Sequence, residues 1–133
     1  MIRIVMRLVL AFFYAAAGAI HLANPAPFLS IMPPWVPQPD AVVALTGVAE
    51  LAGAAGLLQP WSPALRRAAG WGLALYALCV WPANVQHMLN DDGRDMAYHI
   101  PRLAFQPVLI WLALWVSHVT DWPRRGSAAK GGA

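Results

Sequence analysis

Four long apolar runs divide the chain, separated by short segments that are polar or rich in proline. The runs cover residues 4–21, 41–58, about 64–83 and about 103–119, and each holds 17 to 20 residues. As α-helices they would measure about 25–30 Å, which matches the hydrocarbon core of a bilayer. Because lipid cannot hydrogen-bond exposed backbone groups, runs of this length should be helical. The pattern predicts an all-α protein, a transmembrane four-helix bundle, as one domain over residues 1–123, with residues 124–133 as a flexible cytoplasmic tail.

The segment between the first two runs, His21 to Asp40, is both apolar and proline-rich. It has six prolines and no Lys, Arg or Glu. Proline is favourable in the first turn of a helix and unfavourable further in, so Pro27 can start a short helix that Pro33 and Pro34 must end. We predict a short interfacial helix in this first extracytoplasmic loop, with Phe28, Ile31, Met32 and Trp35 turned into the bundle mouth or the lipid headgroups, and we interpret the loop as a lid.

The composition agrees with a membrane protein. Hydrophobic residues make up 59% of the chain and charged residues 11%, against roughly 25% charged in soluble domains. The net charge of +3 does not indicate nucleic-acid binding, because the basic residues flank the apolar runs instead of forming one face. The single cysteine, Cys79, excludes an intrachain disulfide and a CxxC redox pair, and we expect it to pack in the core.

The distribution of Lys and Arg predicts the orientation. With four spans, both termini and the loop near residue 60 share one side of the membrane. That side has seven basic residues and the other has two, Arg94 and Arg102. The positive-inside rule therefore predicts a cell-membrane protein with both termini in the cytoplasm. An alternative takes residues 1–19 as a signal peptide, with Ala17-Gly18-Ala19 as its cleavage site.

Glu50 is the outstanding polar residue, because it lies near the middle of the second run. An ionisable residue inside a membrane span is costly and should face the bundle interior. One interpretation is a hydrogen-bonding residue that joins helices. The other is a proton-carrying or ligand-binding group. Small residues on three runs, including Gly18 and Gly53, predict close helix packing around it.

The remaining polar residues of the runs gather toward the predicted extracytoplasmic end. Asn84 and His87 share a helix face, and Arg102 and Gln106 do so one turn apart, after Pro101 as a predicted first residue of the fourth helix. The outer groups have a simpler interpretation as solvated helix ends. The candidate ligand-binding residues are His21, Trp35, Glu50, Asn84, His87, Arg102 and Gln106.

No catalytic residue can be assigned from the sequence. The chain has no GxSxG, Walker-type, HExxH or GxGxxG motif, so we do not expect an enzyme on this ground. His21, His87, His99 and three aspartates in residues 91–95 are chemically suited to zinc. Their spacing matches no known metal site, and we predict no metal.

Several ordered motifs resemble one family of membrane proteins. They are Gly18-x-x-His21 followed by Pro25, Glu50-Leu51-x-Gly53, Trp81-Pro82-Ala83-Asn84 and Arg102-x-x-x-Gln106, with Pro33-Pro34 and the turn at residues 60–67 between them. Over about residues 10–116 the chain resembles the DoxX-like family. The resemblance implies a four-helix transmembrane bundle. Some relatives are associated with quinone-linked or detoxifying redox systems, and more distant ones look like assembly factors. No catalytic residue set transfers.

These observations favour a small accessory subunit or assembly factor of a membrane system, with redox systems as the first candidates. The alternative is an oxidoreductase component that binds a quinone or another lipophilic ligand, and a second alternative is a small-solute transporter that works as an oligomer. The expected partners are the lipid bilayer and another membrane or redox protein, or a second copy of the chain. No cofactor is assigned, and quinone is the one candidate.

Overall fold

The computed structural model describes residues 1–92 and 94–122, and within them the chain forms five helices and no strand. The helices are α1 (Ile2–Ala23), α2 (Ala26–Ser30), α3 (Pro39–Leu58), α4 (Pro63–Asn90) and α5 (Met96–Val116). All but α2 are long and apolar enough to cross a membrane. The predicted all-α four-helix bundle is confirmed, and the chain is a multi-pass membrane protein. The predicted tail at 124–133 lies outside the described residues.

The four long helices pack around a common core. α1 contacts α3 and α5, and α4 also contacts both α3 and α5, so the four form a ring of neighbours. Leu10 and Tyr14 of α1, Leu57 of α3, Leu73 of α4 and Val116 of α5 meet in the centre. Close approach depends on glycine where α1 crosses α3, since a Cβ on Gly18 would lie 2.7 Å from the carbonyl oxygen of Gly47.

Two helices are longer at one end than the sequence predicts. α4 continues through Pro82 to Asn90, beyond the predicted end at residue 83, and α5 begins at Met96 instead of residue 103. Pro101 therefore lies inside α5, and its prediction as a first helical residue is wrong. Each internal proline removes one backbone hydrogen bond, a loss that membrane helices tolerate where neighbouring helices and side chains satisfy the freed groups.

The predicted short helix in the first loop is confirmed as α2. Pro25 occupies the cap position, Pro27 lies in the first turn, and the hydroxyl of Ser30 donates to the carbonyl of Pro27 at 2.7 Å. Pro33 and Pro34 follow the helix, as their missing N–H groups require. Among the long helices α2 packs on α3, so the loop lies against the bundle.

The start of α1 and the end of α5 meet at the same end of the bundle. Arg3 donates to Asp121 at 2.8 Å and to Nδ1 of His118 at 2.6 Å, and its guanidinium lies 4.9 Å from the ring centre of Trp115. The α3–α4 turn is stabilised separately, by Gln59, whose side-chain amide exchanges two hydrogen bonds with the backbone of Ser62.

Cys79 corrects one expectation. The sequence places it in the core of the third run, but its side chain is exposed. α4 turns Gly70, Leu73, Ala74 and Ala77 toward its neighbours. Cys79 follows Ala77 by two residues, which is more than half a helical turn, so it lies on a different face.

Candidate functional site

A cavity of about 550 Å³ lies between the first loop and helices α3, α4 and α5. Most of its wall is apolar, with Phe28, Ile31 and Met32 on the loop side, Val43 on α3 and Val80 on α4. Polar side chains reach this wall in two groups. We call them the inner cluster (His21, Glu50, Tyr76) and the outer cluster (Asn84, His87, Tyr98, Arg102, Gln106).

The inner cluster centres on the buried carboxyl group of Glu50, whose side chain is 4% exposed. The hydroxyl of Tyr76 donates to its Oε1 at 2.7 Å. Nδ1 of His21 lies 2.8 Å from Oε2 and 2.9 Å from the carbonyl oxygen of Ala17. Nδ1 can carry one proton, and that proton points at the carbonyl oxygen of Ala17. Oε2 of Glu50 therefore has a close electrostatic contact with His21 but accepts no hydrogen bond from any described residue.

The two partners of Glu50 connect it to the cavity. His21 and Tyr76 both line the cavity wall, and the carboxyl group lies behind them. A hydroxyl group that is hydrogen-bonded to a carboxyl group can exchange a proton with it and with a bound molecule on its other side. The arrangement of the inner cluster therefore suits proton exchange with a ligand as well as helix joining.

The outer cluster centres on Arg102. Its Nη1 donates to Nδ1 of His87 at 2.7 Å and to the hydroxyl of Tyr98 at 3.0 Å, and its Nη2 donates to Oδ1 of Asn84 at 2.8 Å. Arginine can only donate, so Nδ1 of His87 carries no proton and Nε2 of a neutral ring carries it. The side-chain amide of Gln106 completes the cluster by donating to the carbonyl of Ala77 at 2.6 Å.

A second histidine, His99, packs against the outer cluster. His99 is buried, and its Nε2 lies 3.1 Å from Oδ2 of Asp91 at the end of α4. Its ring stands edge-on to that of His87, with 4.9 Å between the ring centres. This contact fixes His87 between a buried aromatic ring and the guanidinium of Arg102.

The proline-rich loop forms one wall of the cavity. The ring of Phe28 stacks on that of His21 with 3.6 Å between their centres, and Trp35 lines the cavity while remaining 70% exposed. His87 and Arg102 line the same cavity. The loop therefore lies on His21 of the inner cluster and faces His87 and Arg102 of the outer cluster across the cavity. The lid interpretation stays a prediction.

A family model for a domain of unknown function, DUF8561, matches residues 10–117. This chain belongs to the DUF8561 family. No curated protein and no solved structure matches the chain. The matched residues include both polar clusters and the loop between them. The resemblance to the DoxX-like family stays a prediction.

Most candidate residues named from the sequence of this DUF8561 chain lie together in the structure. Five of the seven line the cavity, namely His21, Trp35, Asn84, His87 and Arg102. Glu50 and Gln106 lie behind that wall and are hydrogen-bonded to residues on it. Within residues 1–92 and 94–122, no group of three or more His, Cys, Asp or Glu side chains is placed to hold a metal ion.

The sequence did not identify Tyr76 and Tyr98 as site residues, and it did not predict that Phe28 stacks on His21. A signal for Tyr76 was available, because the hydroxyl of a tyrosine inside a membrane span needs a partner and Glu50 is the nearest acceptor by depth. Tyr98 precedes Arg102 by four residues, which places both on one helix face. The stack of Phe28 on His21 has no sequence signal, since it depends on how the loop folds back.

Proposed function

We propose that this membrane protein binds a small lipophilic ligand that has an apolar body and a hydrogen-bonding head. The observation that carries the proposal is the cavity of about 550 Å³, whose mainly apolar wall also holds polar groups from both polar clusters. Ligand sites typically enclose about 300–1,000 Å³ and combine apolar walls with a few convergent polar groups. The cavity of this chain has that size and that chemistry.

The polar groups favour a ligand that accepts hydrogen bonds and exchanges protons. Arg102 offers N–H donors to such a ligand. At a different part of the wall Tyr76 presents its hydroxyl oxygen as an acceptor, and its own hydrogen bond to Glu50 provides a route for a proton. Quinones have carbonyl acceptors on an apolar ring and take up protons when reduced, so they are candidates for the ligand. On this proposal the protein would serve a membrane redox system whose electrons come from a partner protein.

The location that fits this proposal is the cell membrane, with both termini in the cytoplasm. The end of the bundle where Arg3 meets Asp121 also holds Arg7 and Arg66 close to His118. The cavity then opens toward the extracytoplasmic side, where only Arg94 and Arg102 are basic. Protease protection of tags placed at the two termini, in right-side-out vesicles, tests this orientation.

The test of ligand binding is extraction. Protein purified from its native membrane in mild detergent should release a defined lipophilic molecule that mass spectrometry can identify in stoichiometric amount. Ala83→Trp places a large side chain in the cavity and should lower the amount of ligand recovered. Leu75→Trp is the matched control, because residue 75 lies on the same helix, is 56% exposed and is not part of the cavity wall. Equal recovery from both variants would place the ligand elsewhere.

A second function, as an accessory subunit or assembly factor, is favoured by a different surface. A groove of about 490 Å³ between α3 and α4 is lined by Ala52, Gly56, Ala68 and Gly72 beside Trp61. Small residues let another transmembrane helix approach closely. Affinity purification in mild detergent should recover one stoichiometric membrane partner, and Gly72→Leu should reduce its recovery. A monomer that carries no partner would contradict this second function.

A further inference from the structure

Arg102 carries a positive charge in the cavity wall that no described carboxylate neutralises. Its three hydrogen-bond acceptors, on His87, Tyr98 and Asn84, are all uncharged. Among residues 1–92 and 94–122, no Asp or Glu oxygen lies within ion-pairing distance of this guanidinium. The guanidinium is half-buried in the wall of a mainly apolar cavity, and charged residues in such positions of membrane proteins usually have a functional partner.

Two of the donors on Arg102 are unused. A guanidinium has five N–H groups, two on each terminal nitrogen and one on Nε. Both on Nη1 and one on Nη2 are taken by the neighbouring side chains. The Nε–H and the second N–H of Nη2 have no acceptor among the described side chains and carbonyls. These two nitrogens form the side of a guanidinium that binds a carboxylate or phosphate through two parallel hydrogen bonds.

The position of the guanidinium is set before any ligand binds. The ring centre of Tyr98 lies 5.2 Å from its central carbon, and Asn84 accepts from Nη2. Asn84 in turn lies 3.5 Å from Oε1 of Gln106, whose amide is held by the carbonyl of Ala77. A charged group that is already oriented loses little conformational entropy when it pairs with an anion.

We propose that the cavity takes a single-chain amphiphile with an anionic head, a carboxylate or a phosphate monoester, whose head pairs with Arg102. This inference rests on the proposed function, because it names the class of ligand that the cavity holds. The apolar chain lies along the wall formed by Phe28, Val43 and Val80. A neutral His87 donates from Nε2, which has no acceptor among the described residues, and this supplies a further hydrogen bond to the head.

Binding of matched probes to the full-length protein in neutral detergent tests the inference. The probes are radiolabelled palmitate, its methyl ester, lysophosphatidate and inorganic phosphate. We expect palmitate and lysophosphatidate to bind about tenfold more tightly than the ester, which corresponds to one charge-assisted hydrogen-bonded pair. Inorganic phosphate should not displace palmitate at equal concentration, because it lacks the apolar chain. Displacement by phosphate at that concentration would overturn the assignment to an amphiphile.

Variants assign the preference to one residue. Arg102→Gln should bind palmitate no better than the ester, while Arg94→Gln should behave as the wild type. Arg94 is the matched control, since it lies on the same side of the bundle and its side chain is 81% exposed. Arg102→Lys keeps the charge without the parallel donors, and it should keep part of the preference.

The two proposals fail in different ways. Equal binding of palmitate and its ester by the wild-type protein overturns the anionic head and leaves the lipophilic ligand intact. Absence of binding by every acyl probe counts against the proposed function itself. If Arg102→Gln does not fold, Arg102→Lys and the wild type still decide, because the preference for palmitate over the ester is measured within each protein.

Discussion

The crossing of α1 and α3 offers the sharpest test of how this bundle is held together. Gly18→Ala places a Cβ 2.7 Å from the carbonyl oxygen of Gly47 and 2.9 Å from Cγ of Leu51. The first contact is with the backbone, so no rotamer change relieves it. A short C···O contact measures about 3.3 Å, so the two helices must separate locally by roughly 0.6 Å.

The matched control is the same substitution at Gly72, where an added Cβ meets nothing within 4 Å. Alanine is a better helix former than glycine by about 1 kcal/mol, and both variants gain this term. Only Gly18→Ala also carries the cost of overpacking, which is typically about 1–3 kcal/mol. The free energies of unfolding of the two variants should therefore differ by about 1–3 kcal/mol, with Gly72→Ala at or above the wild type.

The separation should also reach the inner cluster. Glu50 packs directly against Gly18, and His21 packs directly against Gly47, so both residues lie at the crossing itself. Their contact of 2.8 Å should lengthen in Gly18→Ala and not in Gly72→Ala. Ligand recovery should then fall together with stability in the first variant alone.

Reversible unfolding in mixed micelles of neutral detergent and dodecyl sulfate, followed by tryptophan fluorescence and circular dichroism, measures these differences. Gly72→Ala measures the gain in unfolding free energy from helix propensity alone, and both variants are compared with the wild type. If Gly18→Ala is as stable as Gly72→Ala, the close approach of the two backbones does not limit the packing of α1 on α3. The small-residue explanation of this crossing would then be wrong.

Three further predictions concern single side chains. Tyr76→Phe removes the directed hydrogen bond to Glu50, so the same unfolding assay should show a loss of about 1–3 kcal/mol, and an unchanged value would contradict the bond. Burial, followed by the charge of Arg3, lowers the pKa of His118 below its ordinary value of 6.5. The folded protein therefore resists protonation, and the midpoint of thermal unfolding should fall as the pH drops below 6.5, with a smaller fall in His118→Asn. Cys79, the only thiol, lines the cavity, so bound ligand should slow its alkylation by a maleimide, and equal rates would exclude occupancy beside it.

The helices were predictable because the membrane leaves the chain few choices. A run such as 41–58 has to be helical in lipid, and the structure places α3 at Pro39–Leu58. The ends of the helices were harder to predict, because a proline that would end a helix in water can lie inside a membrane helix. In a soluble helix Pro82 would argue for a break, whereas α4 continues eight residues past it to Asn90.

The sequence predicted which polar residues belong to the candidate site, but not which residues they form hydrogen bonds with. Polar residues in apolar runs must face the interior, which identified Glu50 and Gln106 from position alone. Their hydrogen-bond partners depend on the rotation and relative height of neighbouring helices, and one sequence does not contain that information. Tyr76 is 26 residues from Glu50 along the chain, and only the packing of α3 on α4 brings them together.

The proline-rich loop explains why this bundle has a cavity instead of a filled end. Six prolines between His21 and Asp40 prevent the loop from forming a long helix that would pack along the bundle. The loop makes only the short α2, which packs on α3, and it turns Phe28 onto His21. The space left between this loop, α4 and α5 is the cavity, and Arg102 lies on its far wall. The same feature that marks the loop as unusual in the sequence therefore creates the volume in which a ligand can bind.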